Sequence, residues 1–421
     1  MSEREPEAVW GALADAKLAA LVDLARAKSP FHRERLGAAP VLTRADLVKL
    51  PVLDKDAWMA ASPPRSTAAL TRRLAGAYVF RTGGSTGDPK FSVFSTGEFR
   101  AFVKYFKRTY QAAGLRPTDR VANLFACGSL YASFIFVNRM LEATGCLNFP
   151  FTTATEPAAV ARHVKLFGIN TLVGFPSWLL QVADALEAEG VGVEKIFYAG
   201  EHLYPDERRH LAERLGARVI ASAGYAAVDA GMVGYQCEAA GPGAVHHVLA
   251  DHAHLELLDP QTWQPAAEGL VVVTNLDRRL QPVIRYNVGD LARHVPGDCA
   301  CGRTAPRFEL LHRGDDALRI GFATLTYTEV VAALAGLPVG AVQLQRERLD
   351  RKDRLTLRVE TREAIAPAAV VRALEAAKPD LAKLLASGYL HPLAVEFLPP
   401  GGIPRLPVSG KLRRVVDLAG L

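Results

Sequence analysis

Between Thr171 and Ala221 the chain reads TLVGFPSWLLQVADALEAEGVGVEKIFYAGEHLYPDERRHLAERLGARVIA. Thr171-Leu-Val-Gly174, Lys195-Ile-Phe-Tyr198 and Arg218-Val-Ile-Ala221 are short apolar runs, too short for helices and bounded by polar or glycine residues, so each is predicted to be a buried strand. Between them, Ser177 to Glu189 and Asp206 to Leu215 place apolar residues at helical spacing. Gly190 and Gly216 stand where those helices must stop. Strand–helix repetition of this kind predicts a mainly parallel sheet covered by helices, and the pattern extends outward from about Val121 to Ala223.

The flanking regions read differently. The first 75 residues are helical and irregular, with apolar positions at helical spacing from Val9 to Ala27 and loops at Pro51, Pro63 and Pro64. After Asp229, His254 to Leu258 and Gly269 to Thr274 read as antiparallel strands between Asp/Pro/Gly-rich turns. Asp315 to Arg319 leads into a new unit. In it a helix near Glu329 to Ala335, an alternating strand Leu355 to Glu360, a long helix Pro367 to Leu385 and a strand Ala394 to Leu398 follow in order. The expected fold class is therefore α/β: a large N-terminal domain, residues 1–314, of parallel sheets covered by helices plus an antiparallel subdomain. A small α+β C-terminal domain, residues 315–421, completes it.

Composition narrows the function classes. The chain is 49% hydrophobic and 22% charged, as expected for a globular protein with large cores. No run of about 18 apolar residues exists, so no membrane span is expected. The first residues, MSEREPEAVW, are acidic and polar, unlike a signal peptide, and a cytoplasmic location is the expectation. Net charge is +6, but the Lys and Arg residues are dispersed and form no basic block with interleaved aromatics; nucleic-acid binding is not expected. Five cysteines, an odd number, argue against a disulfide framework. Cys127 and Cys146 lie in apolar surroundings and read as small core residues. Cys299-Ala-Cys301, with Cys237 and the pair His246-His247 upstream, can supply thiolates and an imidazole to a tetrahedral zinc site. Either histidine fits as the fourth ligand.

Arg81-Thr-Gly-Gly-Ser-Thr-Gly-Asp-Pro-Lys90 is the chemically loaded segment. Gly83, Gly84 and Gly87 permit positive φ and close backbone approach, so successive N–H groups can cradle an anion. Thr82, Ser85 and Thr86 add hydroxyl donors and Lys90 adds a charge. The spacing is not that of a Walker A loop. Taken alone, the loop reads equally as a glycine turn.

Four further segments follow in order: Tyr225-Ala-Ala-Val-Asp229, Arg285-Tyr-Asn-Val-Gly-Asp290, Arg313-Gly-Asp-Asp316 and Pro407-Val-Ser-Gly-Lys411. The set resembles the adenylate-forming superfamily of acyl-CoA ligases, adenylation domains and luciferases, and within it the phenylacetate–CoA ligase branch. The resemblance spans residues from about 80 to 412. It implies ATP-dependent formation of an acyl-adenylate from a carboxylic acid, then transfer to coenzyme A. Carboxylate and triphosphate repel each other, so cations are wanted at the reacting centre. By resemblance, the catalytic residues are Lys411, bridging carboxylate and α-phosphate, and Asp229, holding Mg²⁺ against the phosphates. Asp290 accepts the ribose diol, while Tyr225 stacks on adenine or is a buried core tyrosine. Arg313 and Asp315 mark the interdomain hinge, about which the small domain rotates after adenylation. The second motif departs from the family's Tyr-Gly-x-Thr-Glu at Ala226, Val228 and Asp229; losing the Thr hydroxyl removes a phosphate hydrogen bond of about 0.5–1.5 kcal/mol. Cys237, His247, Asp251-His252 and Cys299-x-Cys301-Gly-Arg303 follow the arrangement of zinc-bearing members of the branch, which implies Cys237, His247, Cys299 and Cys301 as the ligands.

The nucleotide and acid sites are expected just after the predicted parallel strands. Gly200, Glu201, Ser222, Ala223 and Gly224 are the nucleotide-binding candidates there. Tyr131, Phe136, Phe175, Pro176, Ala199 and Gly224 are the candidates for a flat acyl pocket, with the aromatics open to a core role instead. The compact chain also resembles stand-alone aryl–CoA ligases such as the anthranilate-activating kind. The expected small molecules are an aryl acid, ATP with Mg²⁺ and coenzyme A, with structural Zn²⁺; a homodimer is expected from the resemblance. Loading of a carrier-protein phosphopantetheine, or a catalytically silent nucleotide- or zinc-binding relative, are the competing functions.

Overall fold

A computed structural model of the chain describes residues 7–81, 90–200, 203, 205–241, 243–313, 317–320, 323–349, 352–386, 390–405 and 412–418. It divides into two compact units, Met1–Leu311 and His312–Leu421.

The stretch from Thr171 to Ala221 builds the central strand and the two strands out to one edge of a five-stranded, wholly parallel sheet in the first unit. Its order is Leu147–Phe149, Arg120–Asn123, Thr171–Gly174, Lys195–Tyr198, Val219–Ser222. Every residue of Thr171–Gly174 is buried, as a central parallel strand covered on both faces requires. The intervening helices are Pro176–Ala188 and Pro205–Leu215. Pro176 sits in the first turn of its helix, where the missing N–H costs nothing. Gly190, with φ +65°, turns the chain out of that helix into the next strand. Leu179, Val182, Ala183 and Leu186 bury one helix face on Leu172 and Ile196 of the sheet.

Two residues after the last parallel strand the chain enters a seven-stranded antiparallel sheet. Its order runs Ala253–Leu258, Glu268–Asn275, Val283–Val295, Arg307–Arg313, Val245–Val248, Gly231–Tyr235, Tyr225–Ala227. The handover, Ser222-Ala-Gly224, is tight: a Cβ on Gly224 would lie 2.8 Å from Met232 Sδ. The turn between Tyr225–Ala227 and Gly231–Tyr235 holds Asp229. The N-terminal helix, Glu7–Lys28, buries Ala14, Leu18, Leu21 and Val22 against Leu276 and Ile284.

The second unit has a four-stranded mixed sheet in the order Ala394–Leu398, Lys352–Glu360, Val342–Leu349, Val415–Asp417. The single helix expected over Pro367 to Leu385 is two helices, Pro367–Ala377 and Pro379–Ala386. Lys378, at φ −132° and ψ 78°, leaves the helical region because Pro379 crowds the residue before it and lacks the N–H to continue the ladder. Among the described residues no helix is long and apolar enough to cross a membrane.

Candidate functional site

The turn at Asp229 is the centre of the site. Asp229 is fully buried, and its Oδ2 takes the Lys90 ammonium at 2.7 Å and the Tyr286 hydroxyl at 3.1 Å. Lys90 also donates to the Tyr286 hydroxyl at 2.5 Å, closing a three-membered cluster. A buried carboxylate without a cation would cost several kcal/mol, and Lys90 supplies that cation. Among the described residues Asp229 Oδ1 has no hydrogen-bond partner. That hard oxygen is free to take a cation of its own.

Lys90 and Tyr286 are 196 positions apart: Lys90 directly precedes the strand Phe91–Ser95 of a separate two-stranded sheet, while Tyr286 lies on the antiparallel sheet. Tyr286 lies in the strand Val283–Val295 directly after Arg285, a non-glycine residue at φ +51°. Left-handed backbone costs such a residue about 1–3 kcal/mol unless its surroundings impose it. Here they do: Arg285 donates to Glu256 at 2.8 and 3.1 Å, to the Leu50 carbonyl, and through its N–H to Thr274 Oγ1 at 2.9 Å. Burial raises the Glu256 pKa, and the Arg285 partnership opposes it. Arg285 thus clamps the backbone that aims Tyr286 at Asp229. Tyr286 was inside a segment singled out in the sequence, yet nothing local marked its hydroxyl as a site atom.

Asp290 follows on the same strand, half-buried, and its Oδ2 accepts the Tyr225 hydroxyl at 2.5 Å. Tyr225 is 9% exposed and meets Phe308 edge-on with centroids 5.8 Å apart. Its ring belongs to the core while its hydroxyl orients Asp290.

Behind this turn, Ser222 is ordered by three contacts. Its N–H donates to Gln236 Oε1 at 2.6 Å, and its Oγ accepts the Gly224 N–H at 3.2 Å. His246 Nδ1 lies 2.8 Å from the Ala244 carbonyl and must donate there, so Nε2, 3.0 Å from Ser222 Oγ, takes the hydroxyl proton of a neutral-ring pair. His246 therefore shapes the Ser222-Ala223-Gly224 handover.

His247, its neighbour, points to the opposite face, as alternate strand residues must. Its Nε2 lies 3.5 Å from Cys301 Sγ, and Cys237 Sγ lies 3.7 Å from Cys299 Sγ. The ligand atoms of Cys237, His247, Cys299 and Cys301 all fall within 4.8 Å of one another. Burial pushes the Cys237 thiol up to about 12, opposed by a hydrogen bond from the Ala239 backbone and reinforced by Cys299 and Cys301. Burial also raises Cys301, but hydrogen bonds from Arg303 and the other cysteines outweigh it and hold that thiol below its usual value. Cys127 is exposed, because it sits in the loop beyond the strand Arg120–Asn123, and Cys146 is half-buried with its thiol donating to the Arg116 carbonyl at 3.2 Å. Neither is the core residue expected.

The remaining candidates divide. Ala199 and Gly200 follow the strand Lys195–Tyr198, half-buried and exposed respectively. Tyr131 and Phe175 are buried with ring centroids 6.1 Å apart, and Pro176 begins the helix after Phe175. Phe136 lies inside an aromatic core, its ring 4.5 Å from Phe102 and 4.7 Å from Phe99. Thr82, Gly83, Gly84, Ser85, Thr86, Gly87, Glu201, Asp315 and Lys411 lie outside the described residues, and Arg313 ends the strand Arg307–Arg313.

Residues 5–274 match the family model described as AMP-binding enzyme. The chain belongs to the AMP-binding enzyme family. It is 28% identical over 443 residues to a phenylacetate–coenzyme A ligase of Thermus thermophilus, covering 99% of this chain and 98% of that protein. A phenylacetate–coenzyme A ligase of Aromatoleum evansii is 27% identical, with 89% and 85% covered. In fold, the chain is similar to a 2-hydroxyisobutyryl-CoA ligase solved in its postadenylation state with 2-HIB-AMP. The TM-score is 0.80, the identity 24%, and the coverage 98% of this chain and 91% of that one.

Proposed function

We propose that this AMP-binding enzyme is an acid–thiol ligase that activates an aryl carboxylic acid with ATP and passes the acyl group to coenzyme A. The observation that carries the reading is the convergence of Lys90, Asp229 and Tyr286 beside the Tyr225–Asp290 pair, at the exit of the parallel sheet. The acid's carboxylate attacks the α-phosphorus, the bond to the bridging oxygen breaks, and pyrophosphate leaves. The thiol then attacks the acyl carbon and AMP departs. Mg²⁺ bound at Asp229 would neutralise charge on the leaving phosphates; Asp229 Oδ1 is the donor that fits it. Lys90, already at that carboxylate, is placed to follow phosphate charge as it develops. Asp290, oriented by the Tyr225 hydroxyl, accepts from the ribose diol. Lys411 stabilises the reacting carboxylate and α-phosphate oxygens. Tyr131, Phe175 and Ala199 line the acyl side, which suits a planar ring.

Zinc at Cys237, His247, Cys299 and Cys301 is part of the same reading. A tetrahedral Cys₃His zinc site requires edges of about 3.8 Å between sulfurs and about 3.5 Å from sulfur to nitrogen. Two of the six edges here, Cys237–Cys299 at 3.7 Å and Cys301–His247 at 3.5 Å, have those lengths, and all six are within 4.8 Å. The site would be closed and structural, tying the turn at Cys299 to the strand carrying His247 and to Cys237, just past the strand Gly231–Tyr235.

Acid-dependent pyrophosphate release, measured with a panel of aryl and alkyl acids and followed by thioester analysis with coenzyme A, tests the function. An aryl acid is expected to give release and a thioester; no release with any acid defeats the reading. Lys411→Ala should cut adenylation about 100-fold or more with ATP binding retained. An unaffected rate would remove Lys411 from its role.

A further inference from the structure

The Asp229 turn is gripped from behind by side chains with no part in the chemistry above. Asn275 Nδ2 donates to the Ala230 carbonyl at 2.7 Å and faces His252 Nε2 at 3.1 Å. Its Oδ1 accepts the Asp277 N–H at 3.0 Å. A backbone donor on Oδ1 sets the amide's orientation, so Nδ2 offers one hydrogen to Ala230 and the other to His252. His252 Nε2 must then carry a lone pair, and its ring proton sits on Nδ1, donated to Asp277 Oδ2 at 2.6 Å. Asp277 in turn receives Lys17 of the N-terminal helix at 2.9 Å and the Tyr105 hydroxyl at 2.8 Å. His252 is 2% exposed, and Asn275 and Ala230 are fully buried.

Each hydrogen-bonding position along this chain has one direction only. Burial holds the His252 pKa below its usual value, which keeps the ring neutral and the sequence of donors intact. A buried network of this sort is expensive unless satisfied throughout, and apolar packing would stabilise the sheet at least as well. What apolar packing would not do is hold a carbonyl one residue from Asp229. The grip is close: Gly231, the next residue, has φ +76°, and a Cβ there would come within 2.5 Å of Asn275 Nδ2.

We propose that Asn275, backed by His252 and Asp277, is a positioning residue that fixes the direction in which Asp229 presents its carboxylate to the metal–nucleotide. This rests on the reading of Asp229 as a metal-holding carboxylate.

Mn²⁺ binding to the ATP-loaded, acid-free full-length enzyme, followed by electron paramagnetic resonance, tests it without turnover. Asn275→Ala should weaken Mn²⁺ by about tenfold, the value of one well-made hydrogen bond. His252→Leu, which leaves the Asn275 amide without its acceptor, should do the same. His252→Gln, whose side-chain oxygen reaches the Nε2 position, should restore affinity to within about twofold of wild type. Thermal unfolding checks that each variant folds, and the His252 pair decides the matter should Asn275→Ala fail to. Folded Asn275→Ala or His252→Leu enzyme that melts lower yet binds Mn²⁺ like wild type makes the network structural only and overturns the proposal. Wild-type enzyme that binds no Mn²⁺ with ATP overturns the reading of Asp229 instead.

Discussion

Two clusters of ligand-type side chains sit on one antiparallel sheet, and they are balanced in opposite ways. At Asp229 the negative charge is met from inside the chain, by Lys90 at 2.7 Å, with the other carboxylate oxygen unpaired among the described residues. At Cys237, His247, Cys299 and Cys301 the ligand atoms converge on each other, and the Cys237 thiol is pushed up to about 12 by burial among sulfurs. A site that must bind and release a charged substrate every cycle benefits from a resident counter-charge. A site that closes a turn onto a sheet needs its ligands preset for one occupant. On the proposed roles, the two clusters differ in the source of the neutralising charge and not in how closely their side chains approach.

Substitutions can break or sharpen that contrast. The largest effect is expected at the cysteine cluster: Cys299→Ala should lose the bound metal and more than about 4 kcal/mol of stability, while turnover per folded molecule stays close to wild type. Elemental analysis with thermal unfolding reads this out, and zinc well below one per chain in the wild type would defeat the assignment. Asp229→Asn should show the reverse, with pyrophosphate release down about 100-fold and zinc content unchanged. Loss of zinc in that variant would mean the two clusters are not separable.

The adjacent histidines give a finer cut. His247→Asn should lose metal; His246→Asn should keep it and cost only about 1–2 kcal/mol of stability through the lost Ser222 contact. Equal metal loss in both variants would contradict the face assignment. The smallest effect is expected from Tyr225→Phe, which removes the hydroxyl on Asp290 but leaves the ring packed on Phe308. It should raise the KM for ATP by about two- to tenfold with kcat little changed. A fall in kcat alone would argue that Asp290 acts elsewhere than on bound nucleotide.

Much of the fold was legible because its signals are local. The strands Thr171–Gly174, Lys195–Tyr198 and Ala394–Leu398 occupy the positions predicted, and Pro176–Ala188 differs from expectation by one residue at each end. The long helix of the second unit was misjudged because the apolar spacing runs straight through Pro379, while the proline's own sterics break it. The site was legible in its motif residues but not in its supports. Tyr286, Arg285, Asn275 and His252 act through partners as far as 235 positions away or through an unusual backbone angle, and neither leaves a local trace of the role.

What the sequence determined by itself is the strand–helix order, the stops at glycine and proline, and the ordered motifs that mark an adenylating enzyme. These depend on side-chain periodicity and on φ/ψ limits, which act over a few residues. Only the tertiary structure decided that His247 and not His246 joins the cysteines, and that Lys90 and Tyr286 meet on Asp229. Only there did Phe136 prove to be buried within an aromatic core. Alternation states that neighbours on a strand face opposite ways. Which face meets which partner is settled by sheet pairing between segments far apart in the chain.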